Sequence, residues 1–366
     1  MKKGSTVKQV LKQGKRSRGQ LTVGLDLGDR NSRYCVLDEH GHAVLESRVA
    51  TTQKGLQEAF GAMPHSRIAL ETGTHSPWVS RCLEEFGHEV IVANARRVRL
   101  ITESSSKDDR LDAKKLARLA RIDPELLSPV RHRSKEAQTD LMMIRARAVL
   151  VGARTKLINA ARGITKSYGE RMRKCGGHQM GEEVAASLSP ELRFALQPLL
   201  AEVESLTQRI KEYNRRIERL AKERYPETAL LTQIKGVGPL IALTYVLTVG
   251  DPHRFQRSRD AGAFVGLRPK RRDSGSTSPQ LRISKEGDSY LRTMMIQGAQ
   301  FILGPFGEDS DLRRWGLGLA EHGGKNGKKR AIVAVARKLA VLLHKLWVSG
   351  EVYVPLHAQT CPRAVA

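Results

Sequence analysis

From residue 21 onward, apolar and polar positions fall into short regular runs. "LTVGLDLG", "RYCVLDEHG" and "AVLESRVATT" are rich in apolar and β-branched residues, are joined by polar turns, and predict three consecutive strands. A helical segment near residues 54–63 follows, then a strand "RIALETG" (67–73), a helix from about Pro77 to Phe86 and a strand "HEVIVANA" (88–95). Antiparallel strands followed by alternating helix and strand predict an α/β domain with a mixed sheet. Residues 108–122, "DDRLDAKKLARLARI", open on acids and place Leu111, Leu116, Leu119 and Ile122 at a roughly helical spacing, the pattern of a helix with an acidic first turn.

"DPELLSPV" marks a break, and a long helical stretch rich in Arg and Lys runs from about 134 to 168. Residues 169–190, rich in Gly, Ser and Pro, read as a linker or an irregular connection. Beyond them Leu200, Val203, Leu206, Ile210, Tyr213, Ile217 and Leu220 recur at steps of three and four. Such a seam predicts a coiled coil or helical hairpin and suits dimerisation, an intramolecular core helix being the alternative. After Glu227 a third region begins with "IKGVGPLIALTYV", in which Gly236 and Gly238 precede a helix. Amides there could hold a phosphate oxygen, as in helix-hairpin-helix modules, or form only a tight turn. The expected organisation is a basic arm (1–20), an α/β domain (21–130), a helical middle (131–226), a C-terminal domain (227–356) and a tail (357–366).

Composition adds the partner. The chain has 366 residues, 40% of them hydrophobic, enough for real cores. Its 63 Lys and Arg outweigh 38 Asp and Glu, giving a net charge of +25, and a polyanion, nucleic acid before membrane, is the natural counterpart. Charges interrupt even the most apolar late stretch, "AIVAVARKLAVLLHKLWV", so no membrane span is expected. The first 20 residues carry seven Lys or Arg, no acid and no apolar core, which is not a signal-peptide pattern, and a cytoplasmic location follows. Four widely separated cysteines lack zinc-site spacing and read as reduced thiols.

Chemistry enters through acids in apolar surroundings. Asp26 interrupts the first strand, and a buried, unpaired carboxylate costs several kcal/mol, so Asp26 needs a donor, a base or a metal. Glu71 ends the strand "RIALE", and Asp109 and Asp112 stand three apart in a predicted helical first turn, able to point to one side. If that turn lies against the strand ends, four carboxylates converge, and a hard divalent cation such as Mg²⁺ relieves their repulsion and can assist phosphodiester cleavage. Read singly, each acid is as well explained by capping or ion pairing. Farther on, six Lys or Arg and one acid lie between Arg268 and Lys285, around the small polar residues Ser274–Ser278. A serine hydroxyl among arginines suits attack on a phosphodiester, and it equally suits a loop that only binds phosphate.

The order Asp, Glu, Asp-x-x-Asp resembles the RuvC-like branch of the RNase H fold. The segments "GLDLG", "ALETGTHS", "KDDRLDAKKLARL", "IKGVGPLIA", "FVGLRPKRRDSGS", "ISKEGDSYLR" and "NGKKRAIVAVARKLA" together resemble the Asp-Glu-Asp-Asp insertion-sequence transposases of the IS-one-ten and IS-eleven-eleven family, over about residues 21–356. That resemblance implies a RuvC-like α/β domain, a helical coiled-coil middle and a small, mostly α C-terminal transposase domain. It implies a recombinase that excises and inserts its element, guided by a structured noncoding RNA that pairs with donor and target DNA. Asp26, Glu71, Asp109 and Asp112 match the family's acidic tetrad, with Mg²⁺ as cofactor; Asp108 is the neighbouring alternative to Asp109. Ser274 matches the nucleophile, which would form a phosphoserine linkage. Gly236, Gly238, Lys270, Arg271, Arg272, Arg282 and Lys285 are candidates for nucleic-acid contact. The family's dimers and tetramers, in which one subunit's tetrad meets another's serine, imply a homo-oligomer at the nucleoid. A Mg²⁺-dependent junction-resolving nuclease without a covalent serine intermediate is the alternative. RNA-guided selection fits a chain with many cations and only 5% aromatic residues, since base pairing then reads the sequence and the protein holds backbones.

Overall fold

The run from Leu21 to Ala93 folds as one mixed sheet in a computed structural model, which describes residues 20–95, 109–173, 175–177, 179–270 and 281–356, without the side chains of Asp109, Arg110, Leu111, Glu182 and Glu183. Residues 1–19, Asp108, Arg271, Arg272, Ser274 and the tail from 357 lie outside the described residues. Contacts divide the chain into two units, Met1–Arg133 and Ser134–Ala366.

In the first unit β1 (Leu21–Asp26), β2 (Asn31–Leu37), β3 (Ala43–Ala50), β4 (Ser66–Glu71) and β5 (Glu89–Ala93) stand in the order β3-β2-β1-β4-β5. The first three pair antiparallel, while β4 runs parallel to both β1 and β5. Helices α1 (Gln53–Phe60) and α2 (Ser76–Glu85) supply the crossovers, and Thr52 caps α1 by accepting from the Gly55 amide at 3.1 Å. Strand alternation sorts the side chains onto two faces. Val23, Leu25, Ile68 and Leu70 pack with Leu56 and Phe60 of α1 and Val79 and Leu83 of α2. Ala69, Ile91 and Ala93 pack on the other face with Leu116 and Ala120 of α3 (Asp109–Ile122), and Cys35 and Leu37 with its Ala113 and Ala117. Gly24 permits this close approach: a Cβ there would lie 1.9 Å from the Ala113 carbonyl oxygen.

The second unit is helical. α4 (Lys135–Ser167) and α6 (Pro190–Arg224) are its longest helices, separated by a short α5 (Glu182–Ala185). They run antiparallel, because Arg147 on α4 donates to Asn214 on α6 at 2.5 Å and Arg154 donates to Thr207 at 3.2 Å. At their end Asp140, buried, accepts from Arg224 at 3.1 Å and from the Tyr225 hydroxyl at 2.7 Å. Leu200, Val203, Leu206, Ile210, Ile217 and Leu220 are therefore buried within the chain, in a helical hairpin. The Gly- and Ser-rich segment after α4 is an irregular connection that packs, with Met180, Val184 and Leu188 buried against the hairpin.

The rest of this unit surrounds α8 (Pro239–Val249), which follows the one-turn α7 (Thr228–Leu231). α9 (Arg259–Phe264), α10 (Ser289–Leu303), α11 (Asp311–His322) and α12 (Gly327–Ser349) complete it. Tyr245, Met295, Leu339 and Leu343 lie in its core, where the Tyr245 hydroxyl donates to the Ala340 carbonyl at 2.7 Å. Burial without an ionic partner drives the Tyr245 pKa far upward. Among the described residues no helix is long and apolar enough to cross a membrane, and Cys35, Cys82 and Cys175 are free thiols.

Candidate active site

Asp26 and Glu71 end neighbouring strands. Leu25 stands opposite Leu70 in the parallel pair, so the next residue of each strand is one of these acids. Asp26 lies two positions beyond Gly24 and Glu71 two beyond Ala69, which puts both on the α3 face. Asp112 immediately precedes Ala113, the residue that meets Gly24, so the first turn of α3 sits over the same end of β1. Asp26 and Glu71 thus share one face and one end of the sheet, and the helical turn that carries Asp112 lies over that end. Asp109 opens α3 one turn earlier, and its side chain lies outside the described residues. The Asp112 carboxylate is 3.8 Å from the Lys115 ammonium and remains 40% exposed.

Oxygen donors at the strand ends suit a hard divalent cation in kind. Among the described residues, no group of three or more His, Cys, Asp or Glu side chains is close enough to hold a metal ion.

Sequence reasoning missed the groups beside these acids. Arg33 stands opposite Asp26 across the β1–β2 pair and shares its face, and Arg48 stands opposite Arg33 on β3. The neighbouring Glu46 is 3.7 Å from the Lys114 ammonium of α3. Burial, with the Glu46 charge adding to it, pushes the Cys35 thiol up, so it remains neutral on this face. Beyond the strand ends His75 bridges the two following loops: its Nε2 is 3.2 Å from the Asp29 carboxylate, and its Nδ1 is 3.1 Å from the Trp78 indole nitrogen. Because an indole N–H only donates, Nδ1 accepts, and Nε2 carries the proton toward Asp29. Thr72 fixes the loop after Glu71, its amide donating to Ala93 and its hydroxyl accepting from Ala95. The shortness of the β1–β2 turn was the available signal for Arg33; only the tertiary fold brings His75 to Asp29.

In the second unit, Lys270 and Arg282 lie on two paired legs. The Lys270 amide donates to the Arg282 carbonyl at 2.9 Å and the Ser284 amide to Arg268 at 2.8 Å. Lys285 is held at φ 57°, a left-handed value, as its leg turns toward α10. Ser274, Arg271 and Arg272 belong to the intervening segment outside the described residues. Gly236 adopts φ 98°, and a Cβ on it would press within 3.2 Å of the Gly298 carbonyl and of Ile302, so close helix packing requires this glycine. Gly238 caps α8 with open space at its Cβ, followed by Pro239, which removes one amide donor from the helix end.

A mixed five-stranded sheet with acids at the ends of β1 and β4 beneath a helix is compatible with an RNase H-like α/β domain, here joined to a helical unit. Residues 23–169 match a transposase family model of the DEDD type, and residues 228–308 match that of the transposase IS116/IS110/IS902 family. The chain is 30% identical to the transposase for insertion sequence element IS1111A of Coxiella burnetii, over 94% of each chain. It is 28% identical to a probable family 20 transposase of Pseudomonas aeruginosa, over 91% of this chain and 98% of that one. A putative transposase of Sinorhizobium fredii is 29% identical over 94% of this chain and 89% of that protein. The chain belongs to the IS110 family of insertion-sequence transposases, and it is a DNA transposase. Its DEDD domain points to a divalent metal.

Proposed function

We propose that this transposase is an RNA-guided recombinase that moves its element by serine attack on DNA, with Asp26, Glu71, Asp109 and Asp112 holding Mg²⁺. The observation that supports it best is the shared face and end of the sheet occupied by Asp26 and Glu71, beneath the helical turn that carries Asp112. Mg²⁺ bound there would offset the charge that develops on phosphoryl oxygens. Asp26 and Glu71 contribute two carboxylates from strands locked in register, and α3 contributes Asp109 and Asp112 from its first turn, so the protein holds the donors without moving backbone.

Ser274 Oγ forms the new bond to phosphorus as the bond to the leaving deoxyribose oxygen breaks. The seryl proton is given up to solvent, and the leaving oxygen takes one up. The phosphoserine linkage keeps a phosphodiester bond in being, so attack by a hydroxyl of another strand restores the serine without ATP. Lys270, Arg271, Arg272, Arg282 and Lys285 flank the serine in sequence and hold phosphates there. The amino end of α8 at Gly238 is open to a backbone phosphate, whereas Gly236 serves packing. A structured noncoding RNA pairs with donor and target, and homodimers joined into tetramers bring one subunit's acids to another's serine.

The test is covalent trapping with full-length protein, the element's noncoding RNA, labelled donor and target DNA and Mg²⁺. A protein–DNA adduct should form with wild type and vanish in Ser274→Ala, and Asp26→Ala should lower its rate by about 10²-fold or more. Strand cleavage that survives in Ser274→Ala with no adduct in wild type would replace this reading with a Mg²⁺-dependent junction-resolving nuclease.

A further inference from the structure

Two cations stand side by side on neighbouring strands of the sheet. Arg33 on β2 and Arg48 on β3 are directly opposite in the antiparallel register, and like charges so placed repel. Strand alternation gives their face: Cys35 packs on Ala113 and Ala117 of α3, and Glu46, opposite Cys35, reaches Lys114 of the same helix. Arg33 and Arg48 lie two residues from these, on the same side. That is also the side of Asp26, which is opposite Arg33.

Arg118 of α3 also acts on this face, its charge opposing the burial that pushes the Cys35 thiol up, while other cations of the helix are engaged. Lys114 is paired with Glu46, Lys115 with Asp112, and Arg121 donates to the Glu39 carbonyl at 2.8 Å. Among the described residues, neither the Arg33 nor the Arg48 side chain forms a hydrogen bond or ion pair. Arg33 and Arg48 line a cavity of about 280 Å³ together with Tyr34, Cys35, Glu46, Ser47 and Ala113, the last next to Asp112 in sequence. An oxyanion between them would remove their repulsion and accept from two planar forks at once, which is how arginine binds phosphate.

We propose that Arg33 and Arg48 clamp a backbone phosphate of the DNA strand being cut, beside the phosphate presented to Asp26 and Glu71. This rests on the active-site reading above and adds the device that sets the strand's register on the sheet. The clamp reads no base, because it touches only the backbone.

The experiment uses full-length protein with its noncoding RNA and labelled DNA, comparing wild type with Arg33→Gln, Arg48→Gln, the double variant and Arg48→Lys. Each Gln variant should raise the DNA concentration for half-maximal adduct by about tenfold, with the saturating rate nearly unchanged, and should lower the salt slope of binding by about one. Arg48→Lys should recover part of the affinity, since it keeps the charge and loses the fork. Melting temperatures should stay level or rise, because repulsion is removed; a purely structural role would lower them. Wild-type half-saturation and salt slope in the double variant would overturn the clamp, and so would weakened binding confined to the RNA. Asp26→Asn, run alongside with DNA binding measured separately, isolates the underlying reading: an adduct formed at the wild-type rate in that variant overturns the acidic site, whereas the clamp stands or falls on the Gln variants' affinity.

Discussion

The two units use charge in opposite ways. In the first, charged groups gather at one end of a sheet: Asp26 and Glu71 end paired strands, Arg33 faces Asp26, and Asp112 lies in the first turn of the helix above them. In the second, buried charge is paired off inside the fold. Asp140 is held by Arg224 and Tyr225, Asp288 accepts from Arg145 while capping α10, and Arg147 and Arg154 are spent on rungs of the hairpin. A carboxylate with its partners arranged around it stabilises a helix pair. Carboxylates brought to the same end of neighbouring strands raise the local affinity for a cation, so the strand ends are where chemistry is expected.

The sharpest way to break this contrast is to lift α3 from the sheet. Gly24→Val places methyl groups beyond a Cβ already 1.9 Å from the Ala113 oxygen and 2.5 Å from the Ala117 nitrogen, and should cost the first unit about 3 kcal/mol. Hydrogen exchange should speed up in β1, β4 and α3 while α8 and α12 keep their protection. Equal loss in both units would show that their stabilities are not separable.

A smaller effect is expected from Asp140→Ala in the second unit. It removes the acceptor of the Tyr225 hydroxyl and the Arg224 partner, for a loss of about 1–3 kcal/mol read by denaturant unfolding. Adduct chemistry at the first unit's acids should then persist at temperatures where the variant is folded.

The mildest probe is pH, and its sign differs between the units. Burial pushes His88 and His132 below their ordinary 6.5, and the buried His88 Nδ1 and His132 Nε2 have no partner among the described residues. The unfolded chain therefore takes up protons first, and the first unit's stability, full above about pH 6.5, is lost as pH falls through the depressed folded values. Burial, then the bond to Asp140, pushes Tyr225 up to about 12 from 10.0. Its contribution to the second unit is full below pH 10.0 and is lost as pH rises toward about 12. Exchange followed from acid to alkali should thus open the first unit at the low end and the α4–α6 hairpin at the high end.

Much of this was legible in the chain. The five strands and the helices of the first unit follow from period-two and period-3.6 patterning, with boundaries displaced by one to three residues: the helix expected near 54–63 ends at Phe60, the helix expected from about Pro77 begins at Ser76, and the strand expected over 67–73 ends at Glu71. The acids were visible because Asp26 stands in an apolar run and Glu71 closes another. Arg33 and Arg48 were not singled out, because an arginine on a strand carries no local mark; their meaning comes from residues opposite them on other strands. His75 likewise gains its proton assignment only from Asp29 and Trp78.

The seam in α6 illustrates the division. Spacing by itself determined that Leu200, Val203, Leu206, Ile210, Ile217 and Leu220 would be covered together, since a helix brings every third and fourth residue to one side. Only the tertiary structure decided that the same chain covers them, with α4 along the hairpin, α8 against Ile217 and Leu220, and the connection around Met180–Leu188 against Leu200 and Val203. In the same way, alternation determined that Asp26 and Gly24 share a face, and the tertiary structure decided that this face receives α3. Period is a local property of the backbone, fixed by rise and rotation per residue; the partner that fills a face is set by pairings distant in sequence, which no short window contains.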